Sequence, residues 1–250
     1  MFDLGLKDKV ILITGGSDGL GYASAELLSS QGAKVVVCGR RGDYLKEKAE
    51  KISEKTKNTV LPIQADVSKA DDCKKLVEET ISKFKKIDVL VNNAGVNKTN
   101  DFDKLSEKDW DLVLDVNLKG VFLCCQEVLK SMPNGGKIIN IGSLSGEYGG
   151  PRTPSYAAAK AGVMSLTHCL ARFVGKKKIN VNCISPGVID NEFTAQTMSK
   201  NVKGIVKNLL LIPRLGTLND LTGAAIFLAS ADSDYITGQT ISINGGAWVR

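Results

Sequence analysis

Tyr156 and Lys160 are the two residues of this 250-residue chain whose types and spacing best suit proton chemistry. They stand four residues apart at the start of a predicted helix, 155–174, so both side chains lie on one helix face. A phenol has a pKa near ~10 and is a poor base at neutral pH unless a cation stabilises its phenolate. Lys160 supplies such a cation. The pair therefore indicates proton transfer to or from a substrate oxygen, although a tyrosine and a lysine at this spacing also occur often by chance.

A second cluster with chemical potential is the glycine-rich segment Thr14–Gly21, which reads Thr-Gly-Gly-Ser-Asp-Gly-Leu-Gly. It follows a predicted strand and opens a predicted helix. Glycines in such a loop permit a tight turn and a close approach of a phosphate, and the helix N-terminus offers unpaired N–H groups. A plain tight turn stays open as the alternative, because the spacing G-x-x-x-G-x-G differs from the common fingerprint G-x-G-x-x-G.

The elements that must position these residues are short apolar runs that alternate with helical patterns. The runs lack strict polar–apolar alternation, which is typical of parallel strands covered on both faces. The predicted strands are Val10–Ile13, Lys34–Cys38, Thr59–Ile63, Asp88–Val91, Lys137–Ile141, Asn180–Ile184 and Thr240–Ile243. The predicted helices are 19–31, 43–56, 69–85, 106–131, 155–174 and 219–230, with Ser68 and Ser106 as N-caps. This order predicts an α/β fold with a doubly wound parallel sheet of about seven strands and helices on both faces.

The chain shows no internal repeat, linker or low-complexity segment. We therefore predict that residues 1–250 form a single domain. One stretch, at about 188–218, interrupts the alternation of strands and helices between the last two strands, and it is predicted to be a lid over the substrate.

Charge and composition exclude several classes of function. Lys and Arg number 33 and Asp and Glu 27, a surplus of only +6, and the charges of both signs are interspersed. A nucleic-acid partner is not expected, because such proteins usually concentrate basic residues in one stripe. No apolar run approaches the ~20 residues that cross a bilayer, so no membrane partner is expected. Six scattered cysteines and a single histidine, His168, argue against a metal site and favour reduced thiols in the cytoplasm.

Several further motifs occur in a fixed order and at characteristic distances from the glycine loop. They are Asp66-Val67, Asn92-Asn93-Ala94-Gly95, Asn117, Ser143, Tyr156-Ala157-Ala158-Ala159-Lys160, Pro186-Gly187 and the closing segments Tyr235–Gln239 and Asn244–Gly246. With this set, the chain resembles the short-chain dehydrogenases/reductases from about Lys7 to Trp248. Among them it looks most similar to 3-oxoacyl-[acyl-carrier-protein] reductases. The resemblance implies a Rossmann fold that binds NAD(P).

The resemblance also implies roles for four catalytic residues. Tyr156 would give a proton to a carbonyl oxygen as hydride arrives, or take one from an alcohol in the reverse direction. Lys160 would stabilise the phenolate and hold the nicotinamide ribose. Ser143 would hydrogen-bond the same substrate oxygen, and Asn117 would hold a water molecule that relays protons to Lys160.

Cofactor contacts are implied for residues that follow the ends of the strands. The expected set is Gly15, Ser17, Asp18, Gly19, Leu20, Gly21, Gly39, Arg40, Arg41, Asp66, Val67, Asn93, Ala94, Gly95, Tyr156, Lys160, Pro186, Gly187, Ile189 and Asn191. Asn191 departs from the family pattern, because a threonine that contacts the nicotinamide amide usually stands there, and this puts the contact in doubt.

The choice between the two nicotinamide cofactors depends on the end of the second strand. NAD-binding proteins place a carboxylate there, which accepts hydrogen bonds from the ribose 2′-hydroxyl and would repel a 2′-phosphate. This chain has Gly39 at that point, followed by Arg40, whose guanidinium suits a phosphate. NADP(H) is therefore expected, with NAD(H) open as the alternative. Asp18 argues the other way, because NADP-preferring relatives often carry a basic residue at that point.

The expected function is an NADP(H)-dependent oxidoreductase that interconverts a ketone and a secondary alcohol, most like a 3-oxoacyl-thioester reductase. One alternative is an NAD(H)-dependent sugar, polyol or other alcohol dehydrogenase. Another is a catalytically idle nucleotide-binding protein of the same fold. The expected partners are a small ketone, alcohol or acyl thioester and further copies of the chain, as a homotetramer. Assembly is predicted because helices 106–131 and 155–174 carry apolar residues on more than one face.

Overall fold

Seven strands, each rich in valine and isoleucine or in other apolar residues, form one parallel sheet in the computed structural model, which describes residues 4–150, 152–197 and 209–249. The strands are β1 Val10–Thr14, β2 Lys34–Gly39, β3 Val60–Gln64, β4 Val89–Asn92, β5 Lys137–Ile141, β6 Asn180–Pro186 and β7 Thr240–Ile243. Their order in the sheet is β3-β2-β1-β4-β5-β6-β7, and every neighbouring pair is parallel. The predicted doubly wound fold is confirmed, and the chain reverses its winding direction between β1 and β4.

The helices of the described residues connect these strands. They are α1 Gly19–Ser30, α2 Gly42–Thr56, α3 Ala70–Phe84, α4 Glu107–Leu114, α5 Gly120–Val128, α6 Leu144–Tyr148, α7 Pro154–Val174, α8 Glu192–Thr197 and α9 Leu218–Ala229. Apart from the predicted helix 106–131, each predicted element is present with ends that differ by a residue or two. The short helices α6 and α8 were not predicted, because neither is long enough to show a helical period.

Two apolar cores lie on opposite faces of the sheet. In β1, Leu12 faces the core formed with α3, α5 and α7, whereas Ile11 and Ile13 face the core formed with α1, α2 and α9. All three side chains are fully buried. Burial of one such aliphatic side chain contributes about 1.5–3 kcal/mol, which explains why the central strands carry apolar residues on both faces. These two cores fix the strand ends from which the loops emerge.

The segment 106–131 is not the single helix that the pattern predicts. It consists of α4, a π-helical turn Asp115–Lys119, and α5, and it ends three residues early. The side chain of Asn117 explains the interruption, because its amide nitrogen donates to the Val113 carbonyl at 2.8 Å. A side chain that takes a backbone acceptor four residues back disturbs the regular helical ladder.

One of the two predicted N-caps is wrong. Ser106 caps α4, accepting a hydrogen bond from the Asp109 N–H at 3.1 Å, as predicted. The N-cap of α3 is Lys69 rather than Ser68. The Ser68 hydroxyl instead donates to the Asp66 carboxylate at 2.8 Å, so Asp66 and Ser68 form a tight turn after β3.

The predicted lid at 188–218 is described in two parts, 188–197 and 209–218, and residues 198–208 lie outside the described residues. The two parts meet where Ile189 forms a parallel bridge with Gly216. Within the described part of the chain, no helix combines the length and the apolar character that a membrane crossing needs.

Candidate active site

A cleft of about 1440 Å³ opens at the carboxyl ends of the strands. It is lined by the loops that follow β1, β2, β4, β5 and β6, and it includes the point where the winding direction reverses. In doubly wound sheets this is where ligands bind. All the predicted site residues line the cleft except Gly21 and Asn117.

The glycine loop follows β1 and packs tightly against the loop after β4. Gly15 has a φ of +66°, and a Cβ atom there would lie 2.8 Å from the Cα of Ala94. A Cβ atom on Gly21 would overlap the Gly15 carbonyl oxygen. Gly21 therefore allows α1 to approach the loop and does not face the cleft. Gly19, with a φ of +54°, has open space where its Cβ would be.

The N-terminus of α1 faces the cleft, and no side chain caps it. Asp18 is its N-cap residue, but the carboxylate makes no capping hydrogen bond. It accepts hydrogen bonds from Arg41 at 2.7 Å and from the Tyr44 hydroxyl at 2.6 Å instead. Uncapped N–H groups at a helix N-terminus beside glycines suit a pyrophosphate. These residues therefore fit a dinucleotide.

The end of β2 carries the two neighbouring arginines. Arg41 is ion-paired with Asp18, whereas Arg40 forms no ion pair with any residue that the structure describes. Gly39 leaves this edge of the cleft without a carboxylate. Asp66 and Val67, after β3, line the same end, and the Asp66 carboxylate accepts from the backbone and hydroxyl of Ser68. We call this part of the cleft the adenosine end; it has both acids and bases, and Arg40 and Arg41 are exposed whereas Asp18 and Asp66 are partly buried.

Asn93 joins the loops after β1 and β4. Its side-chain nitrogen donates to the carbonyls of Thr14 and Gly15 at 3.0 and 2.9 Å. The Thr14 hydroxyl in turn accepts from the backbone N–H groups of Asn93 and Ala94. Asn92 points into the sheet and donates to the Asn140 side chain at 2.9 Å, so only Asn93 joins the two loops.

Ser143, Tyr156 and Lys160 meet at the other end of the cleft. Ser143 follows β5 and caps α6, and its side chain is hydrogen-bonded to that of Tyr156. The Lys160 ammonium lies 5.6 Å from the centre of the Tyr156 ring and donates to the Ile141 carbonyl at 2.7 Å. Pro154, at the first position of α7, begins the helix that carries both Tyr156 and Lys160.

Burial sets the proton affinities of this group. It raises the pKa of Tyr156 to about 12, and the hydrogen bond with Ser143 partly opposes that rise. It lowers the pKa of Lys160 to about 8. In both cases the protein disfavours the charged form, since the surroundings of the groups are apolar. Tyr156 is therefore a phenol at neutral pH, with a proton ready to donate.

Asn117 lies behind this group, fully buried in the π-helical turn. Its amide nitrogen donates to the carbonyls of Val96 and Val113, and its oxygen accepts from the Val96 N–H at 3.1 Å. A Cβ atom on Gly95 would lie 2.7 Å from that oxygen, so this glycine makes room for Asn117. Asn117 thus fixes the loop after β4, and the water relay predicted for it stays a prediction.

The loop after β6 closes the cleft. Pro186, Gly187 and Ile189 line it, and Gly187 packs so closely on the residue after β7 that a Cβ atom would lie 2.6 Å from the Cα of Asn244. Asn191 also lines the cleft, and its side-chain oxygen accepts from the Thr194 N–H at 2.9 Å. That hydrogen bond begins α8 and gives Asn191 a local structural task in addition to any contact with a ligand.

Comparisons with known proteins place this architecture. The family model described as enoyl-(acyl carrier protein) reductase matches residues 15–247. The chain belongs to the short-chain dehydrogenase/reductase family. It is 39% identical over 243 residues to the 3-oxoacyl-[acyl-carrier-protein] reductase FabG of Chlamydia muridarum, which covers 96% of this chain and 98% of the relative. It is 40% identical over 249 residues to the FabG of Staphylococcus epidermidis, covering 97% and 100%.

Solved structures also match this chain over nearly its whole length. A double mutant of a Serratia marcescens short-chain dehydrogenase/reductase has a TM-score of 0.90 and 34% identity, with 97% and 98% of the two chains covered. A blue fluorescent protein from a metagenomic library, solved in complex with NADPH, has a TM-score of 0.91 and 30% identity, with 98% and 99% covered. As a member of this family, the protein is an oxidoreductase that acts on CH–OH groups or the corresponding carbonyls.

Several residues of this short-chain dehydrogenase/reductase line the cleft without having been predicted. Tyr22, Tyr44 and Lys48 lie at the adenosine end, and Tyr148 and Trp248 pack with ring centres 6.0 Å apart near the catalytic end. Nothing in their spacing connects them to the motifs. Lys98 and Arg152 do not line the cleft; they pair with Asp109 and Asp101 respectively.

Proposed function

We propose that this protein is an NADP(H)-dependent reductase of 3-oxoacyl thioesters, which interconverts the 3-ketone and the corresponding secondary alcohol. The observation that carries the proposal is the hydrogen-bonded pair Ser143–Tyr156 at the buried end of the cleft, with the Lys160 ammonium 5.6 Å from the centre of the Tyr156 ring. Two hydroxyl donors at one point suit a carbonyl oxygen, because negative charge develops there during reduction.

In the proposed reaction, the ketone oxygen accepts hydrogen bonds from Ser143 and Tyr156. A dinucleotide held between the glycine loop and Lys160 would supply the hydride to the carbonyl carbon. Tyr156 transfers its phenolic proton to the oxygen, and the ketone gains one hydride and one proton to become the alcohol. The Lys160 ammonium stabilises the phenolate that is left, and in the reverse direction the same phenolate accepts the proton of the alcohol.

We assign Asn117 the water-mediated return of protons to Lys160, in addition to its hydrogen bonds with the backbone of Val96 and Val113. Its burial and its position in the π-helical turn behind the cleft support this role. We propose the other expected cofactor contacts, from the glycine loop to Asn191, because they line the cleft; Gly21 does not line it and acts by letting α1 approach the loop.

NADP(H) is the proposed cofactor because of the charges at the end of β2. Arg40 is exposed and forms no ion pair with the described residues, so its guanidinium can bind a 2′-phosphate. Gly39 places no carboxylate against that phosphate. The Asp18 carboxylate, which argued for NAD(H), is already bound by Arg41 and Tyr44. The NADPH complex of the metagenomic relative supports the same choice.

The substrate end of the cleft supports an acyl thioester. Its wall includes the apolar side chains of Leu144, Leu209 and Leu210 and the aromatic pair Tyr148–Trp248. Such a wall suits the hydrocarbon chain of an acyl group better than a polyol, whose hydroxyls would need polar partners. The FabG relatives carry names that specify the same substrate class.

Reduction of an enoyl thioester is the second candidate, because the matching family model is described by that activity. In that reaction the hydride goes to a carbon–carbon double bond. Purified protein should be assayed with a 3-oxoacyl thioester and an enoyl thioester of equal length, each with NADPH and NADH, and with a polyol together with NADP⁺ and NAD⁺, by the absorbance of the reduced cofactor. The proposal expects the highest kcat/KM for the 3-oxoacyl thioester with NADPH. Faster consumption of NADPH with the enoyl thioester would overturn it.

We further propose one domain that assembles as a homotetramer in the cytoplasm. Phe122 on α5 and Phe173 on α7 are large apolar side chains that stay 46% and 80% exposed in the single chain. A second copy could cover them. Five of the six cysteines are buried as free thiols, which suits a reducing compartment. Light scattering at micromolar concentration should give four times the mass of the chain, and a monomer would contradict the assembly.

A further inference from the structure

Asp18, the acidic residue of the glycine loop, stands at a capping position but does not cap the helix. Asp18 is the N-cap of α1, and aspartate is among the side chains that most favour capping. A capping carboxylate would accept the N–H groups of the first turn. It would also place a negative charge where the pyrophosphate of a dinucleotide binds. The carboxylate of Asp18 does neither in this structure, because it makes no capping hydrogen bond.

Two residues at the start of α2 hold the carboxylate away from α1. The Tyr44 hydroxyl donates to one carboxylate oxygen of Asp18 at 2.6 Å, and the Arg41 guanidinium donates to the other at 2.7 Å. The Arg41 guanidinium also stacks on the Tyr44 ring, with its carbon 4.2 Å from the ring centre. Both side chains therefore support each other as well as Asp18.

A third residue of the same helix completes the arrangement. Lys48 lies four residues after Tyr44, with its ammonium 5.0 Å from the centre of that ring and 5.6 Å from the centre of the Tyr22 ring. A hydrogen bond with the Tyr44 hydroxyl raises the pKa of Lys48. The Tyr44 side chain thus lies between the Lys48 ammonium, beside its ring, and the Asp18 carboxylate, to which its hydroxyl donates.

We propose that Tyr44 and Arg41 are positioning residues for dinucleotide binding: they hold the Asp18 carboxylate off the N-terminus of α1 and keep that terminus open for the pyrophosphate. The inference rests on the proposed function, because it needs a dinucleotide in the cleft. It explains how an acid can stand in a phosphate-binding loop. It also makes Tyr44 a determinant of cofactor affinity that acts through Asp18.

The test is a double-mutant cycle read by the dissociation constants of NADPH and NADH in fluorescence titrations of the purified protein. Tyr44→Phe should weaken the binding of both cofactors by about 3- to 10-fold, because the released carboxylate competes for N–H groups that contact the shared pyrophosphate. Asp18→Ala should restore wild-type affinity in the Tyr44→Phe background, because alanine has neither the charge nor a side-chain acceptor for those N–H groups. In the unmodified background, Asp18→Ala should change affinity by less than about 3-fold.

Tyr235→Phe is the matched control, since it removes a phenolic hydroxyl from an exposed side chain outside the cleft, and it should change affinity by less than about 2-fold. Arg41→Gln repeats the test independently and should also be rescued by Asp18→Ala. Equal losses from Tyr44→Phe in both backgrounds, or a loss for NADPH alone, would overturn this inference only. An unmodified protein that binds neither dinucleotide would overturn the proposed function as well.

Discussion

The two ends of the cleft differ in how they control charge. At the catalytic end, burial disfavours the charged forms of Tyr156 and Lys160. The pKa of Tyr156 is therefore higher than that of an exposed tyrosine, and the pKa of Lys160 is lower than that of an exposed lysine. At the adenosine end, Asp18, Arg41 and Tyr44 are partly or largely exposed, and hydrogen bonds and ion pairs balance their charges. The catalytic end tunes proton affinity, whereas the adenosine end selects an anionic ligand.

This difference predicts different sensitivities to substitution. Removal of a buried catalytic group takes away a function that no neighbour can supply, because desolvated sites have few alternative partners. Removal of an exposed charge has a smaller effect on ligand affinity, because solvent screens the charge and other cations remain nearby. We therefore expect the largest effects at the catalytic end and smaller, graded effects at the adenosine end.

Tyr156→Phe should reduce turnover by about 10³-fold or more, because the ring still packs but the proton donor is lost. Binding of NADPH should change by less than about 2-fold. Stopped-flow reduction of a 3-oxoacyl thioester and a cofactor titration measure the two quantities. Tyr148→Phe is the control, because it removes a hydroxyl at the same end of the cleft. Substantial activity in the Tyr156→Phe protein would refute the assigned proton donor.

Lys160→Met should impair both turnover and cofactor binding. The variant loses the cation that stabilises the phenolate, and it loses the ammonium that is assigned to the nicotinamide ribose. We expect a turnover loss of about 10²-fold and a cofactor affinity loss of about 10-fold. A steady-state split of kcat from KM, together with the dissociation constant of NADPH, checks the expectation. Loss of turnover with unchanged binding would limit Lys160 to the proton chemistry.

Arg40→Asp should lower the preference for NADPH over NADH by at least ~10-fold, since a charge-assisted hydrogen bond is worth about 1.5–3 kcal/mol and a factor of ten needs ~1.4. Binding of NADH should hardly change. Lys46→Asp, an exposed substitution on α2 outside the cleft, controls for the change in net charge. If the unmodified protein already prefers NADH, the interpretation of Arg40 is wrong.

The lowered pKa of Lys160 predicts a smaller effect, on stability. Between about pH 8 and pH 10 the unfolded chain binds a proton at Lys160 that the folded protein has released, so the free energy of unfolding should rise with pH. The rise is about 2 kcal/mol over two pH units. Urea unfolding of the unmodified protein and of Lys160→Met at both pH values measures it. An equal pH response in the two proteins would contradict the burial of an uncharged amine.

The sequence predicts that Ser143, Tyr156 and Lys160 come together because most of the information is local, while their catalytic roles stay predictions. Tyr156 and Lys160 share one helix, and Ser143 follows a recognisable strand, so a one-dimensional pattern contains their geometry. The same reasoning failed for the helix 106–131, because the break depends on the side chain of Asn117 bonding to the backbone.

The adenosine end was predicted less completely. Its residues were identified, but the sequence presented Asp18 as an argument against NADP(H). The contact of Asp18 with Arg41 and Tyr44 joins two elements separated by more than twenty residues, and no periodic pattern records it. Lys48 and Tyr22 were missed for the same reason, since stacking of cations on rings depends on how α1 and α2 pack.

The central claim is that burial keeps Tyr156 a phenol, loaded with the proton that ketone reduction needs. Its titration can be observed directly by NMR of the protein with ¹³C-labelled tyrosine rings, with the Tyr156 signal assigned by its absence in Tyr156→Phe. The account predicts that in the free protein this signal still reports a phenol at about pH 10.5, above the usual tyrosine pKa of ~10. A Tyr156 signal that reports phenolate below about pH 9 would contradict it.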